Sequence, residues 1–138
     1  MKSKLKWTGN RSFEATTEDG HTVAFGQAYG KASKPGPSAM ELVLMGAGGC
    51  SAYDVVSILE KSRADVRDVT VEMEADRAPE PPKVFTRIHF HFTVTGKDLK
   101  PAQIERAITL SVDKYCSATA MLEKTATVSH DFQVIDAD

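Results

Sequence analysis

The chain has 138 residues, 41% hydrophobic and 26% charged, with a formal net charge of −2. That length suits one domain, residues 1–138, able to bury its own core, and the composition excludes disordered and fibrous classes. Near-neutral charge lacks the basic excess of a nucleic-acid binder; the one basic cluster, Lys2, Lys4 and Lys6, alternates with Leu5 and Trp7 as a strand does.

From Lys4 to Gln27 apolar and polar residues alternate, with turn signals at Thr8-Gly9-Asn10 and Glu18-Asp19-Gly20, which predicts three short antiparallel strands in a meander. Gly30 to Pro37 is a loop by composition. Ser38 followed by Glu41 is a capping box, so a helix is expected to start there and run to about Arg63. Its first part, from Leu42 to Leu59, is apolar nearly all round, which predicts burial on every side. Gly46, Gly48 and Gly49 each cost roughly 1 kcal/mol of helix propensity, a cost usually offset by close backbone packing or marked by a break.

Val69, Val71, Met73 and Ala75 share one face of a strand, and Ile88, Phe90, Phe92 and Val94 repeat the pattern after the Pro-rich turn from Ala78 to Pro82, which predicts a hairpin. From Pro101 the positions Ile104, Ala107, Ile108, Val112 and Tyr115 follow the helical period. A short helix over Ser117–Glu123 and a closing strand through Val128, Phe132 and Val134 complete the chain. The order βββ-α-ββ-αα-β predicts an α+β fold with antiparallel sheet and segregated helices.

The N-terminus lacks the apolar core of a signal peptide, and no apolar run approaches the roughly 20 residues that cross a bilayer. A cytoplasmic protein without membrane association is therefore expected. There the two cysteines, Cys50 and Cys116, read as reduced or catalytic thiols rather than a permanent disulfide. At 66 positions apart they form no CxxC unit, and any contact between them must be made by the fold. Each also reads as a small buried core residue, and Cys116, preceding a helical stretch, is placed where a helix dipole favours thiolate.

His89 and His91 share the strand face opposite Phe90, compatible with a metal edge, but no third ligand accompanies them, so no metal is expected. His21 and His130 read as structural or solvated. With no Ser-His-Asp order, GxSxG, P-loop or GxGxxG pattern, hydrolase, nucleotide and dinucleotide functions are disfavoured, and no cofactor is expected.

The segment Pro37-Ser-Ala-Met-Glu-Leu-Val-Leu-Met-Gly-Ala-Gly-Gly-Cys50-Ser, with Lys114-Tyr-Cys116-Ser-Ala-Thr, resembles the OsmC/Ohr family of osmotically inducible and organic hydroperoxide resistance proteins, in the manner of its YhfA-like branch. The resemblance spans nearly the whole chain. It implies an OsmC-like intertwined homodimer, two central helices sandwiched by sheets from both subunits, with the site at the interface. It also implies a two-cysteine reduction of organic hydroperoxides. Cys50 would attack the O–O bond, Cys116 would resolve the sulfenic acid as a disulfide, and an external dithiol would restore both thiols. An arginine activates the attacking thiol in this family, held by a glutamate at the start of the central helix. Arg11 matches its place, and alternatively reads as a solvated turn arginine.

The chain departs from the peroxidases at the glutamate, where Met40 stands ten residues before Cys50 and Glu41 nine before it. On one helix nine residues turn through about 900°, which aims Glu41 away from Cys50 and toward a capping role. Lys31 and Lys34 are alternative sources of positive charge. The second functional expectation is therefore a non-catalytic dimer that binds a small apolar ligand or senses oxidants through the same cysteines.

Overall fold

A computed structural model describes residues 1–137. In chain order its elements are β1 (Ser3–Gly9), β2 (Ser12–Thr17), β3 (Thr22–Gly26), α1 (Ala39–Lys61), β4 (Asp65–Arg77), β5 (Phe85–Lys97), α2 (Pro101–Leu110), a π-helical turn (Ser111–Tyr115), α3 (Ser117–Leu122) and β6 (Thr127–Asp136). The chain divides into two compact units, Met1–Leu44 and a second that begins at Met45.

In the first unit β1, β2 and β3 form the predicted antiparallel meander. Phe13 and Phe25, paired across β2 and β3, stack with ring centroids 5.6 Å apart, whereas Leu5 and Trp7 of β1 remain exposed. Gly26 ends β3 at φ +149°, where an added Cβ would lie 2.1 Å from the Arg11 carbonyl oxygen. That oxygen accepts the Gln27 N–H at 3.1 Å, and the Gly26 N–H donates to the Pro37 carbonyl at 2.9 Å. Two backbones approach as closely as the missing side chain permits, which ties the β1–β2 turn to the loop leading into α1.

The second unit is built on a three-stranded sheet in the order β4-β5-β6. β4 and β5 form the predicted hairpin, with Val69 opposite Val94, Val71 opposite Phe92, Met73 opposite Phe90 and Ala75 opposite Ile88. Ile88, Phe90, Phe92 and Val94 are fully buried; each such side chain contributes about 1.5–3 kcal/mol on burial. The expectation of antiparallel sheet fails at the last strand, because β6 pairs parallel to β5, with Ile88 beside Val128 and Phe92 beside Phe132. Parallel neighbours need a crossover of a dozen or more residues, and α2, the π turn and α3 supply it.

The periodicity that predicted a helix through Tyr115 is interrupted after Leu110. The π turn brings Ser111 and Val112 inside and leaves Tyr115 exposed.

α1 runs unbroken over 23 residues, but burial on all sides is not what the chain shows. Ala47, Gly48, Ser51, Val55 and Leu59 form one buried stripe, while Met45 and Tyr53 stand 52% and 75% exposed. Of the three glycines only Gly48 meets a close neighbour: a Cβ there would lie 2.2 Å from the Met73 sulfur. By length and composition α1 is long and apolar enough to cross a membrane, contrary to expectation. A stripe packed at this range on a sheet marks the core helix of a small α+β protein instead.

Gly26→Ala is expected to destabilise the protein by about 1–3 kcal/mol, because the clash is with backbone and the dihedral disfavours a side chain. Denaturant unfolding checks the loss, and faster amide exchange at Gln27 checks that it arises at this contact.

Candidate functional site

Cys50 lies half-buried on α1, and the next residue, Ser51, is wholly buried. Cys116 follows the π turn, 2% exposed, as the N-cap of α3. The wide turn holds it in place: the Cys116 N–H donates to the Ser111 carbonyl at 2.7 Å. π turns of this kind recur at functional sites. The fold thus brings thiols 66 positions apart close enough that each shifts the proton affinity of the other.

Around the Cys116 sulfur the donors are unusually numerous. Thr119 gives it both its hydroxyl at 3.0 Å and its N–H at 3.4 Å, and Ser51 gives its hydroxyl at 3.4 Å. The sulfur's own outlet as donor is the Ala47 carbonyl, at the longer distance of 3.8 Å. Behind this layer the buried Ser111 hydroxyl is shared between the Ser51 carbonyl at 3.2 Å and Asp54 Oδ2 at 3.1 Å.

Burial works against ionising Cys116, but the hydroxyls of Ser51 and Thr119, the Cys50 thiol and the Thr119 N–H together hold it below the ordinary thiol range. Cys50 moves the other way, pushed up first by burial and further by its neighbour Cys116, against the Ala118 and Ser117 amides. The pair therefore carries its first negative charge on Cys116.

The other expected site residues lie in the first unit. The Arg11 guanidinium sits 4.6 Å from the Tyr29 ring centroid, exposed and stacked as a cation on an aromatic face. Glu41 completes the predicted capping box, accepting the Ser38 N–H at 2.9 Å while its own N–H donates to the Ser38 hydroxyl at 3.2 Å. It also pairs with Lys34. The Lys34 and Ser38 contacts hold its carboxyl at about 2, below the ordinary 4.5.

His89 and His91 do share the open face of β5, where Asp131 Oδ1 bridges them at 3.0 and 2.7 Å and the Ser129 hydroxyl lies 2.6 Å from His89 Nδ1. Among the described residues no three His, Cys, Asp or Glu side chains are disposed to hold a metal, so this is a hydrogen-bonded group. His21 is solvated beside Asp19, and His130 sits in register with Phe90.

Sequence reasoning missed Ser51, Asp54, Ser111 and Thr119. One signal was present: Thr119 stands three residues after Cys116, the spacing at which an N-cap meets a backbone N–H.

The family described as OsmC-like protein matches residues 30–131. Protein YhfA of Escherichia coli is 45% identical over 137 residues, covering 99% of this chain and all of that protein. Among solved structures, a hypothetical protein from Aquifex aeolicus aligns with a TM-score of 0.88 at 26% identity, over 99% of this chain and 97% of that one. An organic hydroperoxide resistance protein OsmC from Legionella pneumophila shares the fold with a TM-score of 0.70, over 95% and 94% of the two chains, at 17% identity.

Because the folded Glu41 carboxyl is more acidic than the unfolded one, its contribution to stability is present above about pH 4.5 and is lost as the pH falls toward about 2. Glu41→Gln is expected to remove that part of the acid dependence. Carbon-detected NMR titration of the Glu41 carboxyl should give a midpoint near 2 in the wild type.

Proposed function

The chain belongs to the OsmC-like protein family, and from that membership together with its paired thiols we propose that it reduces organic hydroperoxides through Cys50 and Cys116. The observation that carries this reading is the pair of free thiols, one half-buried and one enclosed, held close enough that each shifts the proton affinity of the other. That an organic hydroperoxide resistance protein, the one from Legionella pneumophila, shares this fold supports the substrate class.

In this reading the more exposed Cys50 passes its proton to Cys116 and attacks the distal peroxide oxygen. The O–O bond breaks, the alkoxide leaves and is protonated to the alcohol, and Cys50 becomes a sulfenic acid. Cys116 then attacks the Cys50 sulfur, forming the disulfide as the sulfenic oxygen leaves in water. An external dithiol supplies two electrons to restore the pair. Arg11 provides the cation that favours the Cys50 thiolate, and Glu41 fixes the start of the helix bearing it.

The reaction takes place in a cytoplasmic homodimer. Met45, Tyr53, Tyr115 and Met121 are exposed apolar side chains of the second unit, and a second copy of the chain is the partner that would cover them.

A second reading, an OsmC-like dimer that binds a small apolar ligand or senses oxidants without turnover, is favoured by Met40 and by the engagement of Glu41 with Ser38 and Lys34. Native mass spectrometry separates the two through a retained small molecule.

With cumene hydroperoxide and a dithiol, stopped-flow kinetics should show turnover in the wild type and none in Cys50→Ser. Cys116→Ser should complete a single oxidation and accumulate a dimedone-reactive sulfenic acid. Unchanged consumption in Cys50→Ser would sink the peroxidase reading.

Light scattering should give twice the chain mass for the wild type. Tyr53→Glu, which puts a charge in the exposed apolar face, should weaken association at least tenfold, since burying an unpaired charge costs several kcal/mol.

A further inference from the structure

We propose that Ser51 and Thr119 are positioning residues that hold Cys116 as a thiolate and so make it the leaving group when the Cys50–Cys116 disulfide is reduced. The inference rests on the two-cysteine reading above and adds to it the direction in which the disulfide opens.

Ser51 and Thr119 are 0% and 1% exposed, so their hydroxyl protons have no water to bond. Both are spent on one sulfur, at 3.4 and 3.0 Å, and the Thr119 N–H joins them at 3.4 Å. A thiolate accepts three such donors well; a disulfide sulfur accepts them poorly. Hydrogen bonds to a charged acceptor are stronger than those to a neutral one. The cradle thus favours the state in which Cys116 carries charge over the one in which it is bonded to Cys50. Ser111 supports the arrangement at one remove, since its hydroxyl holds the Ser51 carbonyl and Asp54.

Access points the same way, because Cys50 is half-buried while Cys116 is enclosed. A thiolate of the external dithiol attacks the Cys50 sulfur and forms a mixed disulfide there. The Cys50–Cys116 bond breaks, and its electron pair goes to Cys116, where the three donors await it. The dithiol's second thiolate then attacks its own sulfur in the mixed disulfide and releases Cys50 as a thiolate. The reductant departs as a disulfide and the protein has gained two electrons. Exchange is faster when the departing thiol is the more acidic, and Cys116 is that thiol.

Two measurements test this. In Cys50→Ser protein, which isolates Cys116, the far-ultraviolet absorbance of the thiolate is followed against pH. Thr119→Val, which keeps the side-chain shape and the N–H but removes the hydroxyl, should raise the transition by about one pH unit, as should Ser51→Ala. Thr119→Ser, which retains the hydroxyl, should leave it nearly in place. A transition unmoved in both Thr119→Val and Ser51→Ala overturns the inference, and circular dichroism confirms that each variant is folded.

In the second measurement, wild-type protein oxidised with diamide is reacted with 2-mercaptoethanol, quenched in acid and mapped by mass spectrometry. The mixed disulfide should be found on Cys50, and Thr119→Val should slow its formation roughly tenfold or less, in proportion to the leaving-group effect. A mixed disulfide on Cys116 overturns the inference. Failure of diamide to join the cysteines would instead overturn the two-cysteine reading, and the titration, which needs no disulfide, distinguishes that failure from the other.

Discussion

Three hydroxyl groups with almost no access to water, those of Ser51, Ser111 and Thr119, must find acceptors inside the protein, because each unmet buried donor costs about 1–3 kcal/mol. Among the described residues no buried side-chain nitrogen or oxygen is left without a partner. The solution joins three segments: Ser51 on α1 and Thr119 on α3 turn to the Cys116 sulfur, and Ser111 in the π turn bonds back to α1. An apolar replacement at Ser51 or Ser111 would remove a bond between elements as well as a donor. The same bonds that fasten the crossover to the helix therefore set the polarity around the sulfur.

The sheet decides where this meeting happens. β5 is central, and its fully buried face of Ile88, Phe90, Phe92 and Val94 fixes the register of both neighbours, since a slip of one residue would turn these side chains to water. With β6 parallel to β5, the chain leaving β5 at Lys97 must return to start β6 at Thr127, beside Arg87. α2, the π turn and α3 are that return path, and Cys116 lies within it. On the same sheet Met73 of β4 presses against Gly48, two residues before Cys50. Cysteines far apart in sequence are brought together by one strand register and one missing side chain.

Much of this was legible in the residues, and the parts that were not share a cause. Alternation gave the strands because a half-buried strand writes its burial into every second residue, as at Val69, Val71 and Met73. Ser38 and Glu41 gave the start of α1 because a capping box is made within four residues. The meeting of Cys50 with Cys116 and the parallel course of β6 depend on long-range packing, which no local pattern records. The π turn was hidden because Val112 and Tyr115 continue the helical period that the backbone itself abandons at Ser111. α1 misled for a different reason: apolar residues all round state that its faces suit burial, whereas one folded chain covers only the stripe through Ala47, Ser51, Val55 and Leu59. The parts played by Ser51, Ser111 and Thr119 stayed hidden because buried hydroxyls in helices look like ordinary surface residues until their partners are known.

The two sulfurs divide acidity and access between them. Cys116 has the donors and the lower proton affinity but is enclosed; Cys50 has the route to solvent but is pushed up by burial and by its neighbour. Two isolated thiols with these properties would each lack something a nucleophile needs. A neighbouring pair does not, because a proton moved from Cys50 to Cys116 places the charge on the accessible sulfur at a cost set by the difference in their affinities. A cation would lower that cost, and this is the part proposed for Arg11. Once the disulfide has formed, the imbalance works in the opposite sense: the sulfur that was slow to give up its charge is the one to which charge most readily returns. Attack and release thus make different demands on the pair, and the same buried donors that burden the first step assist the second.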